Sequence, residues 1–227
     1  MPVTPPLENG DHLSREEFER RFWAMPELKK AELIQGVVFM PSPVRYESHG
    51  KPHSAVMLWL THYETFTPGV GVGDNTSVRL DEETEVQPDA LLRVQAEYGG
   101  KSSVSDDDFV VGAPELIFEV AASSASYDLH EKFRLYCNHG VREYIVWRVR
   151  DGVIDWFQRV DNQFQRLEPD SAGVIESHLF PGLRLAVSAF IRRDLTTVLT
   201  ISQEGIGSDS HQAFVKQLER NLISIKS

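Results

Sequence analysis

Apolar residues recur in two rhythms along this chain, and the switches between them mark the elements. Ser14-Arg15-Glu16-Glu17 has the S-x-x-E form of a capping box, and Phe18 and Phe22 follow at helical spacing. That predicts a helix from about 15 to 24, stopped near Pro26. Glu32 to Met40 reads as two strand pieces joined by a tight turn at Gln35-Gly36, and Pro41-Ser42-Pro43 breaks the run. Pro52 suits a first helical turn; His53, Val56 and Leu60, with Ala55 and Trp59 alongside, make an amphipathic stripe to about Tyr63. Gly69 to Asp74 reads as a glycine-rich loop. Strands are expected near Ser77–Leu80, Glu85–Val94 and Glu115–Ala121, with the polar stretch Glu97 to Asp108 as a surface excursion.

In the second half, Asp128-Leu129-His130-Glu131 predicts a helix with Asp128 as its N-cap, running to Asn138 or His139 and closed by Gly140. Tyr144–Val149, Val153–Arg159 and Gln163–Leu167 read as successive antiparallel strands, turned at Asp151-Gly152 and Asp161-Asn162. Phe180-Pro181-Gly182-Leu183 closes the strand-rich part. Beyond about Ile191 the chain is mostly polar, with an amphipathic segment from Gln212 to Leu222. The fold expected is a mixed α/β domain, a twisted sheet with helices against its faces. Its division is a loose lead-in over 1–13, the domain over 14–195 and a polar, helical tail over 196–227.

Composition narrows the class. A length of 227 residues suits one domain, and a 41% hydrophobic fraction is enough for a real core. The lone Cys137 excludes an internal disulfide and a cysteine-rich zinc site, and its place beside Phe133 and Tyr136 suggests a buried thiol. Met1 to Asp11 lacks a basic region followed by an apolar stretch, and no apolar run approaches the roughly 20 residues a membrane helix needs. A cytoplasmic protein with no membrane partner is expected. The net charge of -11 argues against strong binding of arbitrary nucleic acid, although basic residues can gather on one face.

Candidate chemistry comes from acids in apolar surroundings. Asp89 lies in Val86-Gln87-Pro88-Asp89-Ala90-Leu91-Leu92 and Glu119 in Leu116-Ile117-Phe118-Glu119-Val120-Ala121. A carboxylate in a buried strand needs a compensating cation. Two on strands that can pair suggest Mg²⁺ or Mn²⁺, which binds through a few hard oxygens and activates water. Glu32, at the start of the hairpin, can flank them. Lys132, on the helix after the Glu119 strand, can set a positive charge beside the transition state. Taken singly, each has a plainer reading: a turn aspartate, a strand glutamate on a wet face, a solvated lysine. The convergence is what carries the metal reading. His49 and His53 could mark another metal centre, but His53 better suits a structural role at a helix start. Trp59, Trp147 and Trp156 read as core or dimer packing.

These residues resemble a known family. Glu32-Leu33-Ile34-Gln35-Gly36, the Pro-Ser-Pro after it, His53-x-x-Val56-x-x-x-Leu60, Pro88-Asp89, Pro114-Glu115-Leu116-Ile117-Phe118-Glu119-Val120, Asp128-x-x-x-Lys132-x-x-x-Tyr136, Gly140-Val141-x-Glu143-Tyr144 and Phe180-Pro181-Gly182-Leu183 stand in the order seen in Uma-type restriction endonucleases. Those form a branch of the PD-(D/E)xK nuclease superfamily, and the likeness spans roughly 12–192. It implies a restriction-endonuclease-like core in which Asp89 is the PD aspartate, Glu119 the acid of the (D/E)xK element and Glu32 a further acid. The carbonyl of Val120 would be another metal ligand. The superfamily lysine would fall at Ala121, and Lys132 resembles a migrated substitute. Gln35 stands where the hairpin turn usually carries Asp, and Trp147-Arg148 where Asp-Pro is usual.

The activity so implied is Mg²⁺-dependent hydrolysis of DNA phosphodiester bonds, with a homodimer expected for cutting both strands. Its interface would come from the Val153–Leu167 strands or the C-terminal segment. Two alternatives are a non-catalytic interaction module on the same fold and a metal hydrolase of a smaller phosphodiester.

Overall fold

A computed structural model describes residues 4–41, 43–122 and 124–226, the side chains of 223, 225 and 226 excepted. Ser42, the centre of the Pro-Ser-Pro motif, and residues 1–3 of the lead-in lie outside it.

Helix α1 (Arg15–Trp23) starts where expected, with the Ser14 hydroxyl accepting from the Glu17 amide. Strands β1 (Glu32–Ile34) and β2 (Val37–Phe39) form the hairpin, and Gln35 and Gly36 both take positive φ, 52° and 78°, as a type I′ turn requires. The segment expected as a loose lead-in is tied to it. Leu7 is buried, the Gly10 amide donates to the Val38 carbonyl at 2.8 Å, and His12 bridges to Val37.

A π-helical turn (Tyr46–Gly50) leads into α2 (Lys51–Thr65), whose Ala55, Val56, Trp59, Leu60 and Tyr63 are buried. The glycine-rich stretch after it is not a loop but strand β3 (Val70–Asp74). Its glycines let it lie close to its partner: a Cβ on Gly73 would stand 2.9 Å from Leu91 Cγ. After β4 (Val78–Asp81), the single strand expected over Glu85–Val94 is two, β5 (Thr84–Val86) and β6 (Ala90–Val94). Pro88, which has no amide hydrogen to donate, breaks the ladder between them. The two strands then join different sheets.

The excursion carries a short hairpin, β7 (Ser103–Val104) with β8 (Val110–Val111). Strand β9 (Leu116–Ala121), buried throughout, leads to a continuous helical stretch. That stretch comprises α3 (Ala125–Tyr127), a π-helical turn over Asp128–Lys132, and α4 (Phe133–His139) closed by Gly140 at φ 91°. Asp128 is therefore not the N-cap. It sits inside the helical stretch and accepts from the Ser124 hydroxyl one turn earlier. Strands β10 (Glu143–Arg148), β11 (Val153–Val160) and β12 (Gln163–Leu167) match the three expected, and a further hairpin pairs β13 (Val174–Glu176) with β14 (Arg184–Ala186).

One six-stranded sheet runs β2-β1-β5-β4-β8-β7, the other β12-β11-β10-β9-β6-β3. Within the second, β9 and β10 are parallel, joined by the helical crossover 125–139. One core cluster packs α2 and the C-terminal helices on a face of this sheet through Trp59, Trp156, Phe118 and Phe190. Another buries Ile117, Val146, Tyr136 and Tyr144 on the opposite face. The C-terminal stretch takes part in that packing. After α5 (Val187–Ile191), helices α6 (Leu195–Ile206) and α7 (Asp209–Lys226) bury Val198, Ile206 and Leu218 in the core. No helix among the described residues is long and apolar enough to cross a membrane.

Candidate active site

The break at Pro88 puts two carboxylates side by side. The β6–β9 ladder starts at Ala90↔Phe118, so Asp89 and Glu119 stand just past its end. There side chains take over from backbone pairing. Asp89 Oδ2 accepts from the Val120 amide at 2.8 Å, and the Asp89 amide points to Glu119 Oε2 at 3.5 Å. Glu32 arrives from β1 and accepts from the Gln87 amide at 2.8 Å. Lys132, from the π-helical turn, lies between two of these acids: its Nζ is 3.0 Å from Glu32 Oε1 and 2.9 Å from Glu119 Oε1. One turn later Tyr136 donates its hydroxyl to the same Glu119 oxygen at 3.0 Å.

The structure thus brings Glu32, Asp89, Glu119 and Lys132 together, none more than 4% exposed. Burial to that depth removes water as a partner, so protein groups must balance the charges. Asp128 adds a further buried carboxylate. Burial raises the Glu119 carboxyl to about 8; Lys132 opposes the rise, while Asp89, Asp128 and Glu32 add to it. Burial would also raise Asp89, but the His49 hydrogen bond, the charges of Lys30 and His49 and the Val120 amide outweigh it and hold Asp89 below the usual range. Lys132 is likewise depressed by burial and then lifted well above its ordinary value by Glu119, Glu32 and Asp128. It stays charged.

One partner of Asp89, Lys30, carries no mark in the sequence, and another, His49, reads there as part of a different centre. Lys30 lies in a run that reads as surface, yet its Nζ is 3.4 Å from Asp89 Oδ1. His49 and His53 do not form a separate metal centre. His49 Nε2 lies 3.1 Å from Asp89 Oδ2, and His53 Nε2 lies 2.9 Å from the Asp89 carbonyl and 3.2 Å from Asp74 Oδ1. Cys137 is buried away from the acids, its Sγ 3.2 Å from the Asn162 carbonyl. Trp59, Trp147 and Trp156 are all in the core.

Among the described residues no group of three or more His, Cys, Asp or Glu side chains is set to hold a metal ion. The pair Asp89 and Glu119 nevertheless has the donor chemistry a hard cation requires. Each has one oxygen firmly held, by Val120 and His49 or by Lys132 and Tyr136. The other is contacted only at 3.4 Å by Lys30 or 3.5 Å by the Asp89 amide.

Comparison with known proteins gives this arrangement a family. A family model described as Uma2, "Putative restriction endonuclease", matches residues 15–188, and the chain belongs to that family. Among solved structures it resembles one titled a "putative nuclease belonging to DUF820 from Anabaena variabilis ATCC 29413". The TM-score is 0.55 at 10% identity, over 76% of this chain and 97% of the other, a likeness of fold. No curated protein matches. Family and fold together support a nuclease function.

Proposed function

We propose that this protein is a cytoplasmic, divalent-metal-dependent endonuclease that hydrolyses DNA phosphodiester bonds as a homodimer. The observation that carries the reading is Lys132 joined to Glu32 and Glu119 beside Asp89, where β6 and β9 stop pairing. A Mg²⁺ or Mn²⁺ ion held by Asp89, Glu119 and the Val120 carbonyl, with Glu32 in support, would supply Lewis-acid activation of water and of a phosphoryl oxygen. The chain's own residues do the rest. His49, Lys30 and the Val120 amide keep Asp89 ionised and oriented. Lys132, charged and fixed between two carboxylates, would orient the attacking water by a hydrogen bond or stabilise the charge that develops on phosphate. Tyr136, whose hydroxyl is pushed well up by burial and by Glu119, stays protonated and holds that carboxylate in place.

The test is nicking of plasmid DNA with Mg²⁺ or Mn²⁺. Wild type cuts, Asp89→Ala and Glu119→Ala do not, and Glu219→Ala, on the exposed side of α7, cuts normally. Absence of cutting by wild type with either ion would overturn the enzymatic reading in favour of a non-catalytic interaction module. Two observations favour that second reading: Lys132 already satisfies part of the negative charge, and no three ligating side chains are pre-assembled among the described residues.

A further inference from the structure

The connection from β2 to α2 is tied to the acids at both ends. Phe39, the last residue of β2, is paired in register with Glu32. At the other end His49 Nε2 lies 3.1 Å from Asp89 Oδ2. Before it, the Arg45 carbonyl accepts from the amides of His49 and Gly50 at 3.0 and 3.1 Å, and the Tyr46 carbonyl accepts from that of Lys51. These bonds make the π-helical turn, a rare geometry found most often at functional sites. The π-helical turn over Asp128–Lys132 likewise delivers a site residue, Lys132.

The start of the turn that carries His49 is open to solvent. Tyr46 is 72% exposed, and Val44 and Arg45 are exposed beside it. Among the described residues the Tyr46 ring has no partner and Arg45 makes no ion pair. Glu47 on the same turn is taken up by Lys51 at 3.1 Å, which leaves Arg45 as its uncompensated charge. A single exposed aromatic is ordinary on a protein surface; its place gives this one meaning. The four acid-site residues are sealed, whereas Lys30 and His49, which contact the Asp89 oxygens, are partly exposed. A phosphate therefore reaches Asp89 from the side that this turn occupies.

We propose that Tyr46 is a stacking platform for an unpaired nucleobase, with Arg45 on the adjoining phosphate, so that the strand preferred is single, gapped or frayed. The inference rests on the nuclease reading above, which gives a strand its reason to lie here. Inside a duplex both faces of a base are covered by its neighbours. An unpaired base has a face free for an aromatic ring, while a nearby cation holds its backbone. Anisotropy of a short labelled oligonucleotide bound to the full chain, with Ca²⁺ in place of Mg²⁺, reads this apart from cutting. Wild type should bind the single strand more tightly than its duplex. Tyr46→Ala should weaken single-strand binding about tenfold and leave duplex binding unchanged. Tyr46→Trp, which keeps a stacking face, should bind as wild type does. A strand of abasic sites, with the same phosphates and no bases, should bind wild type and Tyr46→Ala alike. No binding of the single strand, equal affinity of wild type and Tyr46→Ala for it, or an equal loss on the abasic strand would overturn the platform. If Tyr46→Ala instead lowers the mass of the protein in solution with strand binding intact, the ring belongs to a contact between copies of the chain and the proposal fails. A single strand bound through Tyr46 but not cut with Mn²⁺ would uphold the platform and sink only the nuclease reading.

Discussion

Lys132 Nζ stands 2.9 Å from Glu119 Oε1, and both residues are almost wholly buried. A strand and the π-helical turn after it thus face each other where β9 stops pairing with β6.

Removing that lysine leaves Glu32 and Glu119 buried without their shared cation. Lys132→Ala is expected to destabilise the fold by about 3 kcal/mol, read as a lower urea midpoint at unchanged slope. Nicking should fall by roughly 100-fold while Mn²⁺ affinity survives. An unchanged midpoint would show that the acids find other compensation.

His49 meets the same Asp89 oxygen as the Val120 amide, from a different element, and its loss should alter the acid without unfolding the core. His49→Ala is expected to slow metal-dependent nicking about tenfold, the scale seen when a partner of a metal-binding side chain is lost. Tm should stay within a degree or two. A variant cutting at the wild-type rate would remove His49 from the site.

Glu85 supplies a pH dependence away from the acids. Burial raises its carboxyl from 4.5 to about 8, helped by Glu19 and opposed by Arg79 and Arg15. Among the described residues its Oε2 has no hydrogen-bond partner, and Arg79 Nε lies 3.8 Å away. The folded chain therefore binds this proton more tightly than the unfolded one, so the stability it contributes is full below pH 4.5 and is lost as pH rises through about 8. Glu85→Gln should flatten that loss and exceed wild type by on the order of 2 kcal/mol at pH 8.5, with little difference at pH 4. Parallel pH profiles of denaturant midpoint for the two proteins would refute it.

The Phe180-Pro181-Gly182-Leu183 turn and α6 touch backbone to backbone. A Cβ added at Gly205 would lie 2.2 Å from the Gly182 carbonyl oxygen, and Gly182 itself has φ 86°. Gly205→Ala is expected to cost about 3 kcal/mol, measured by chemical denaturation, because neither partner is a flexible side-chain tip. A loss under about 0.5 kcal/mol would mean that α6 shifts freely on the sheet.

The elements were largely legible because most obey one local rule each. The Ser14 cap, the Gln35-Gly36 turn and the 153–167 meander follow from period and turn chemistry alone. Misreadings arose where two rules competed. The glycines of 70–74 suggested a loop, yet β3 needs them to approach Leu91. The apolar run 85–94 suggested one strand, yet Pro88 divides it between two sheets. Asp128 looked like a cap, yet the helical stretch begins earlier and Ser124 takes that end. The convergence of the acids was visible because each sits in an apolar run, where a charge demands explanation. Lys30 carries no such mark, and its contact with Asp89 exists only in three dimensions. The amphipathic segment 212–222 marks α7, but the polar character of the stretch before it hides the apolar positions, Val198 and Ile206, that seat α6 on the core.

A chain that crosses from one sheet to the other within three residues makes Asp89 a seam between the two sheets. The hairpin 103–111 hangs from the far border of the first sheet, remote from that seam in the strand order. Length and sequence there can drift between relatives while the acid stays anchored by the Val120 amide. Diversity among such proteins should therefore collect on that outer border, leaving the chemistry fixed and the periphery free to choose what is brought to it.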